Sequence, residues 1–139
     1  MKKKVLFLCT GNSCRSQMAE GWLRHLAGEQ FDVVSAGTHP VGLNPYAVTV
    51  MAEAGVDISH HVSERIDPYL TQHFHYVVTV CDRAQETCPA FPGASQMLHW
   101  NFDDPAHATG TYEQRLIVFR KSRDEIADRV RQFISESRA

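Results

Sequence analysis

The sequence predicts an α/β fold, a four-stranded parallel sheet in three layers with helices on both faces. Short apolar, β-branched stretches alternate along the chain with segments whose apolar residues recur at helical spacing. This alternation is typical of βαβ units, in which helices cover a parallel sheet. The chain has 139 residues, 43% of them hydrophobic, so we expect a single domain, residues 1–139, with a core of its own.

The individual elements follow from local signals. Four stretches rich in apolar or β-branched residues are predicted as strands: Val5–Leu8, Phe31–Ser35, Tyr76–Val80 and Gln96–Trp100. Three stretches with helical spacing, capping or stop signals are predicted as helices: 16–27, 44–55 and 112–135. Residues 66–70 are predicted as one helical turn, and residues 82–95 as a loop, because the latter contain three Pro or Gly residues.

The loop after the first strand, residues 9–15, is predicted to bind an oxyanion. Its backbone N–H groups lack ladder partners, and the N-terminus of the next helix adds partial positive charge. Gly11 and Asn12 tolerate a positive φ, so successive N–H groups can form a concave nest. Cys9 lies at the strand end, where this environment favours a thiolate. The planar guanidinium group of Arg15 can donate paired hydrogen bonds to a tetrahedral anion.

The segment CTGNSCRSQMAE, which begins at Cys9, resembles the phosphate-binding loop of the low-molecular-weight protein tyrosine phosphatase fold. Within that fold it is most similar to the thioredoxin-coupled arsenate reductases. The spacing Cys-x5-Arg is loose alone, but here it follows an apolar strand and precedes a serine and a helix. The serine, Ser16, is expected to cap that helix and to donate its hydroxyl to the thiolate. The resemblance implies that the anion is held by the loop as a whole: Thr10, Gly11, Asn12, Ser13, Cys14, Arg15 and Ser16.

Composition excludes several classes of function. The net charge is −2 with neutral histidines, so no nucleic-acid footprint is present. The apolar run after Lys2-Lys3-Lys4 has four residues, too few for a membrane span or a signal peptide. We therefore expect a cytoplasmic protein without a membrane partner. In that compartment, four cysteines favour catalytic, redox or metal roles over structural disulfides.

Two of these cysteines, Cys81 and Cys88, follow the third predicted strand. Parallel strands share one carboxyl edge, so Cys9 and Cys81 should emerge at the same edge of the sheet. The separation of Cys81 and Cys88 fits neither a zinc ribbon nor a Cys-x-x-Cys motif. By itself, this spacing is as consistent with two unrelated buried cysteines as with a functional pair. The segment VCDRAQETCP resembles the redox segment of the arsenate reductases at both cysteines and at Pro89. The simple phosphatases of this fold lack that pair.

A general acid is predicted at the Asp-Pro step that follows the fourth strand. Pro105 restricts Asp104 to an extended backbone, which fixes the direction of its side chain. The family places its acid at this step, and Asp104 matches it. Asp103 lacks the adjacent proline and is the second candidate. Cys14 lies in the anion loop but has no role in the family's chemistry, so we expect it to serve packing.

No bound metal is predicted, and the one candidate is a potassium site. The histidines show no ligand spacing joined to carboxylates or thiols. Four residues match positions at which some reductases of this class have a potassium site, although one of the four is Glu where Asp is usual: Asn12, Glu20, Ser35 and Glu64.

The resemblance implies a cascade of three thiols. Cys9 attacks arsenate while Asp104 protonates the departing oxygen. Cys81 then attacks the Cys9 sulfur as arsenite leaves, and Cys88 attacks Cys81 to leave a Cys81–Cys88 disulfide. Thioredoxin or a related thiol carrier is the implied electron donor, with no tightly bound cofactor. Phosphate or sulfate should compete with arsenate, and we expect a monomer.

Two other functions use part of the same residues. A low-molecular-weight protein tyrosine phosphatase needs Cys9, Arg15 and Asp104 but not the second pair of cysteines. An oxyanion-binding or redox-sensing module without enzymatic activity needs no general acid.

Overall fold

The computed structural model describes residues 2–80 and 91–137. Within them, a single sheet in the order β2-β1-β3-β4 is formed by four strands: β1 (Lys3–Cys9), β2 (Phe31–Gly37), β3 (Phe74–Thr79) and β4 (Ala94–His99). All three strand pairings are parallel. Three α-helices accompany them: α1 (Arg15–Ala27), α2 (Pro45–Glu53) and α3 (Tyr112–Ser137). The predicted class, a parallel α/β fold, is confirmed.

Two core clusters lie on opposite faces of the sheet. The side chains of β1 alternate between them, because successive residues of a strand point to opposite faces. Val5 and Phe7 pack with the apolar faces of α1, α2 and α3. Leu6 and Leu8 belong to the second cluster, which also contains Ile66. In the described part of the chain, that second face carries a short 3₁₀ helix (Asp67–Tyr69) where the first carries α-helices.

The boundaries differ from the predictions mainly where polar residues extend an element. Lys3 and Lys4 pair in register with Phe31 and Asp32, so β1 begins before its apolar run. β4 begins at Ala94, inside the segment predicted as a loop. The predicted turn at 66–70 is a 3₁₀ helix, and a second one, Pro105–His107, was not predicted. No described helix is long and apolar enough to cross a membrane.

Strand register places the anion loop. Cys9 at the end of β1 is paired with Gly37 at the end of β2, and the N–H of Val80 donates to the carbonyl of Leu8. The carboxyl ends of the central strands therefore form one edge, and the loop that precedes α1 lies on it. A Cβ at Gly37 would lie 2.5 Å from the Thr10 carbonyl oxygen, so only glycine allows β2 to approach the loop this closely.

The core predicts a sharp contrast between two isoleucines of α3. Ile126 is fully buried, whereas Ile117 is 62% exposed. Ile126→Ala should lower the free energy of unfolding by about 2–5 kcal/mol, through lost burial and the cavity left behind. The matched control Ile117→Ala should change it by less than about 0.5 kcal/mol. Urea unfolding followed by circular dichroism measures both, and equal losses would mean that α3 does not pack as described.

Candidate active site

The loop between β1 and α1 turns at Asn12, whose φ is +45°. A non-glycine residue in this left-handed region costs about 1–2 kcal/mol. The turn brings the backbone N–H of Asn12 to 3.1 Å from the Cys9 sulfur, to which it donates. The sequence predicted that Gly11 and Asn12 tolerate this conformation, but only Asn12 adopts it.

The side chain of Asn12 holds the turn in place. Its Oδ1 accepts from the backbone N–H of Glu64 at 2.8 Å and from Gln17 Nε2 at 3.1 Å. Its Nδ2 donates to Ser16 Oγ at 2.8 Å and to Ser35 Oγ at 2.9 Å. These four hydrogen bonds satisfy the Asn12 amide on both sides although the residue is fully buried. They therefore offset the cost of the backbone conformation.

The sulfur of Cys9 lies at the base of this loop. Its exposed fraction is 2%, and Ser16 Oγ approaches it to 2.8 Å. The prediction that Ser16 caps the helix is wrong, because α1 begins at Arg15 and the N-cap residue is Cys14, which makes no side-chain cap. Ser16 lies inside the first turn, where its hydroxyl contacts the sulfur and the Asn12 amide instead.

Arg15 and Asp104 meet beside the loop. Arg15 is 4% exposed. Its Nη1 donates to the Phe102 carbonyl at 3.3 Å, and its Nη2 lies 3.5 Å from Asp104 Oδ2. Asp104 has an extended backbone, with φ −80° and ψ 110°, and its Oδ1 accepts from the N–H of Ala106. The other oxygen, Oδ2, therefore faces the guanidinium, so a carboxyl group and a cation lie together at the mouth of the loop.

Cys14 differs from Cys9 in its surroundings. Burial raises the pKa of its thiol to about 12, so it is protonated at neutral pH. It belongs to the large core cluster, and its sulfur lies 3.8 Å from Ser13 Oγ. These contacts agree with the packing role expected for Cys14.

Gln17 and His61 extend the site beneath the loop, and sequence reasoning missed both. Gln17 is fully buried, and its Nε2 donates to the backbone and side-chain oxygens of Asn12. His61 Nδ1 lies 2.9 Å from Gln17 Oε1. A polar residue between apolar helix positions gives no sequence signal of burial, and the partners are 44 residues apart, so only the tertiary structure joins them.

The four residues predicted to bind potassium lie close together. Glu20, Ser35 and Glu64 line a cavity of about 370 Å³, next to Asn12. Each of them has an oxygen with a partner, and for Glu64 that partner is the Tyr69 hydroxyl. Asn12 Oδ1 accepts from Glu64 and Gln17, Ser35 Oγ is bonded to Asn12 and Glu20, and Glu20 Oε2 pairs with Arg24. The Arg24 guanidinium therefore lies where a cation would otherwise balance the Glu20 carboxylate.

Among residues 2–80 and 91–137, no group of three or more His, Cys, Asp or Glu side chains could hold a metal ion. Cys81 and Cys88 lie outside the described residues, so their relation to Cys9 stays a prediction.

Comparison with known proteins identifies similar chains. Residues 4–139 match the family described as low molecular weight phosphotyrosine protein phosphatase. An arsenate reductase of Halalkalibacterium halodurans is 52% identical over 132 residues, which cover 95% of each chain. The family match spans both the loop of Cys9 and the Asp-Pro step at Asp104.

Solved structures that resemble this chain also include arsenate reductases. An arsenate reductase in the phosphate-binding state aligns with a TM-score of 0.82 and 33% identity, over 98% of each chain. A thioredoxin-dependent arsenate reductase of Corynebacterium glutamicum aligns with a TM-score of 0.74 and 27% identity, over 97% of this chain and 61% of that one.

The surroundings of His61 predict how stability depends on pH. Burial lowers the pKa of His61, an effect that the Glu20 carboxylate opposes. The unfolded chain takes up a proton near pH 6.5, whereas the folded protein keeps His61 neutral to lower pH, so stability should fall as the pH drops below about 6.5.

In His61→Gln, the free energy of unfolding should fall less between about pH 7.5 and about pH 5.5 than in the wild type. Urea titrations at both values test this, with the exposed His39→Gln as control. An unchanged slope in His61→Gln would contradict it.

Proposed function

This chain belongs to the low molecular weight phosphotyrosine protein phosphatase family, and we propose that within it the chain is an arsenate reductase. One observation carries the proposal: a buried cysteine sulfur that accepts an N–H at the base of an anion loop, with Arg15 and Asp104 beside it. The similarity over 95% of its length to a named arsenate reductase selects arsenate as the oxyanion. The Cys81–Cys88 pair in the sequence supplies the thiols that a reductase needs and a phosphatase does not.

The first step forms a bond between sulfur and arsenic. The Cys9 thiolate, which accepts hydrogen bonds from the Asn12 N–H and the Ser16 hydroxyl, attacks arsenate held by the loop N–H groups and Arg15. Asp104 gives its proton to the departing oxygen, which leaves as water. Because Arg15 Nη2 faces Asp104, the bound anion and the acid share one guanidinium, which holds them in position for the transfer.

The next steps carry the electrons. Cys81 attacks the Cys9 sulfur, the sulfur–arsenic bond breaks, and its electron pair stays on arsenic, which leaves as arsenite. Cys88 then attacks Cys81, which frees Cys9 as a thiolate and forms a Cys81–Cys88 disulfide. A dithiol carrier reduces that disulfide. We propose thioredoxin for this role, because one similar structure is of a thioredoxin-dependent enzyme.

The remaining expectations belong to the same proposal. The enzyme is a cytoplasmic monomer of one domain with no tightly bound cofactor. Phosphate and sulfate share the tetrahedral shape and negative charge of arsenate, so they compete for the loop. A similar structure is described in a phosphate-binding state, which supports this competition. The same loop and acid would also support weak phosphatase activity, the function of the alternative candidate.

One assay separates the two candidates. Arsenite formation is measured with arsenate, thioredoxin, thioredoxin reductase and NADPH, and hydrolysis of p-nitrophenyl phosphate is followed in parallel. The proposal predicts arsenite formation that requires thioredoxin and is lost in Cys9→Ser. Hydrolysis without any arsenite would favour the phosphatase, and neither activity would favour a binding module.

Asp104 gives the first prediction for the chemistry. Asp104→Asn should slow formation of the arsenic adduct by about a hundred- to ten-thousand-fold, the usual effect of losing a general acid. The matched control is Asp103→Asn, since Asp103 is exposed and has no adjacent proline, and it should react as the wild type does. Rapid-quench single-turnover experiments measure both rates. If Asp103→Asn is the slower variant, the acid has been assigned to the wrong residue.

The second prediction concerns the relay. Cys88→Ser should release at most one arsenite per enzyme and then stop at a Cys9–Cys81 disulfide, which peptide mapping detects. Its hydrolysis of p-nitrophenyl phosphate, measured before arsenate is added, should equal that of the wild type, because Cys88 takes no part in phosphoryl transfer. Repeated turnover by Cys88→Ser with thioredoxin would remove Cys88 from the relay.

A further inference from the structure

A chain of hydrogen bonds begins at Arg24, on the outer side of α1. Arg24 Nη2 lies 2.7 Å from Glu20 Oε2. The other carboxylate oxygen, Glu20 Oε1, accepts from Ser35 Oγ at 2.5 Å. Ser35 Oγ in turn accepts from Asn12 Nδ2 at 2.9 Å. The chain thus connects a half-exposed cation to the residue that forms the turn of the anion loop.

From Asn12 the chain continues to the nucleophile. Asn12 Nδ2 donates to Ser16 Oγ at 2.8 Å, and Ser16 Oγ lies 2.8 Å from Cys9 Sγ. The backbone N–H of Asn12 also donates to the same sulfur. Every side chain between Arg24 and the sulfur is at least nine-tenths buried or close to it, with Glu20 the most exposed at 11% for its side chain. Water therefore competes little with these bonds.

The direction of each bond follows from the chemistry of the ends. A carboxylate only accepts hydrogen bonds, so the Ser35 hydroxyl proton points to Glu20 and the Ser35 oxygen is left to accept from Asn12. The amide of Asn12 is oriented independently, because its oxygen accepts from the Glu64 N–H. The Ser16 oxygen also accepts from that amide, so its own proton is available for the Cys9 sulfur. Glu20 thus fixes the Ser35 hydroxyl, and Ser35 and the Glu64 N–H together hold the Asn12 amide in the orientation that leaves the Ser16 proton to the sulfur.

Arg24 supplies the counter-charge that a largely buried carboxylate requires. It is also anchored, because its Nη2 donates to the Val33 carbonyl at 2.6 Å and its Nη1 contacts His61 Nε2 at 3.2 Å. Glu20 and Ser35 are two of the residues predicted to bind potassium, and the guanidinium already neutralises that carboxylate.

We infer that Arg24 is a positioning residue for Cys9. Arg24 acts through Glu20 and takes the place that a potassium ion would otherwise occupy. Its guanidinium fixes the Glu20 carboxylate, which holds Ser35 and, through Ser35, the Asn12 amide. In this way Arg24 helps to keep the Ser16 hydroxyl directed at Cys9 Sγ. Any effect of Arg24 on arsenate turnover rests on the proposed function, whereas its effect on the reactivity of the Cys9 sulfur does not.

The test measures the reactivity of the Cys9 sulfur directly. In Arg24→Gln, alkylation of Cys9 by iodoacetamide at about pH 7, followed by peptide mapping, should be about three- to tenfold slower, because the uncompensated carboxylate disfavours the thiolate. Arg24→Lys keeps the charge and should recover most of the rate. The control is Arg65→Gln, which loses only an exposed pair with Asp67 and should alkylate as the wild type does.

A second measurement addresses the cation. The wild type should have the same Tm in equal concentrations of KCl and NaCl, because Arg24 already provides the positive charge. A higher Tm of the wild type in KCl, or wild-type alkylation of Cys9 in folded Arg24→Gln, would overturn the inference. If Arg24→Gln does not fold, Ser35→Ala breaks the same chain at its middle and should also slow alkylation, because the Asn12 amide loses its link to Glu20. Wild-type alkylation of Cys9 in folded Ser35→Ala would then overturn the inference.

Neither measurement uses arsenate, thioredoxin or any turnover. A wild type that makes no arsenite would remove the proposed function and leave this inference intact. Unchanged alkylation in an active enzyme would remove this inference and leave the proposed function intact.

Discussion

The left-handed turn at Asn12 is the constraint on which the rest of the site depends. It aims a backbone N–H at the Cys9 sulfur, and it is unfavourable for most residues other than glycine, asparagine and aspartate. Four hydrogen bonds hold the turn: the Asn12 side chain donates to α1 and β2, and it accepts from α1 and from the N–H of Glu64. The geometry of the nucleophile therefore depends on three separate parts of the chain, and small changes in any of them should reach the sulfur.

A loop of this kind can serve two chemistries, and residues outside it decide between them. An anion cradle, a thiolate, an arginine and an acid suffice for phosphoryl transfer from a monoester. Reduction of arsenate needs the same first step but then two further thiols that can reach the first one. In a parallel sheet, the loops that follow the strands lie at one edge. Cys9 ends β1, and Cys81 comes two residues after the end of β3 in the sequence.

Much of the fold could be predicted from the sequence, because the buried strands and the amphipathic helices carry strong periodic signals. The placing of Cys9, Arg15 and Asp104 around one loop could also be predicted, because they lie close in sequence to strand ends and to a proline; their chemical roles stay a prediction. Gln17, His61 and Arg24 could not. Gln17 meets His61 across 44 residues, and Arg24 reaches the site only through Glu20, which bonds to Ser35 across 15 residues. No local pattern marks such polar side chains as buried. The cap assigned to Ser16 was wrong for a related reason: a serine near a helix start satisfies the local rule, but tertiary contacts recruited its hydroxyl.

The central claim is that the loop of residues 9–15 holds an oxyanion directly over the Cys9 sulfur. The most direct measurement is the rate of Cys9 alkylation by iodoacetamide as arsenate is added. Our account predicts that arsenate slows the alkylation of Cys9 in a saturable manner, that phosphate does the same, and that Arg15→Lys weakens the protection, because a single ammonium cannot replace the paired contacts of a guanidinium. Alkylation of Cys9 at the same rate with and without saturating arsenate would contradict the account.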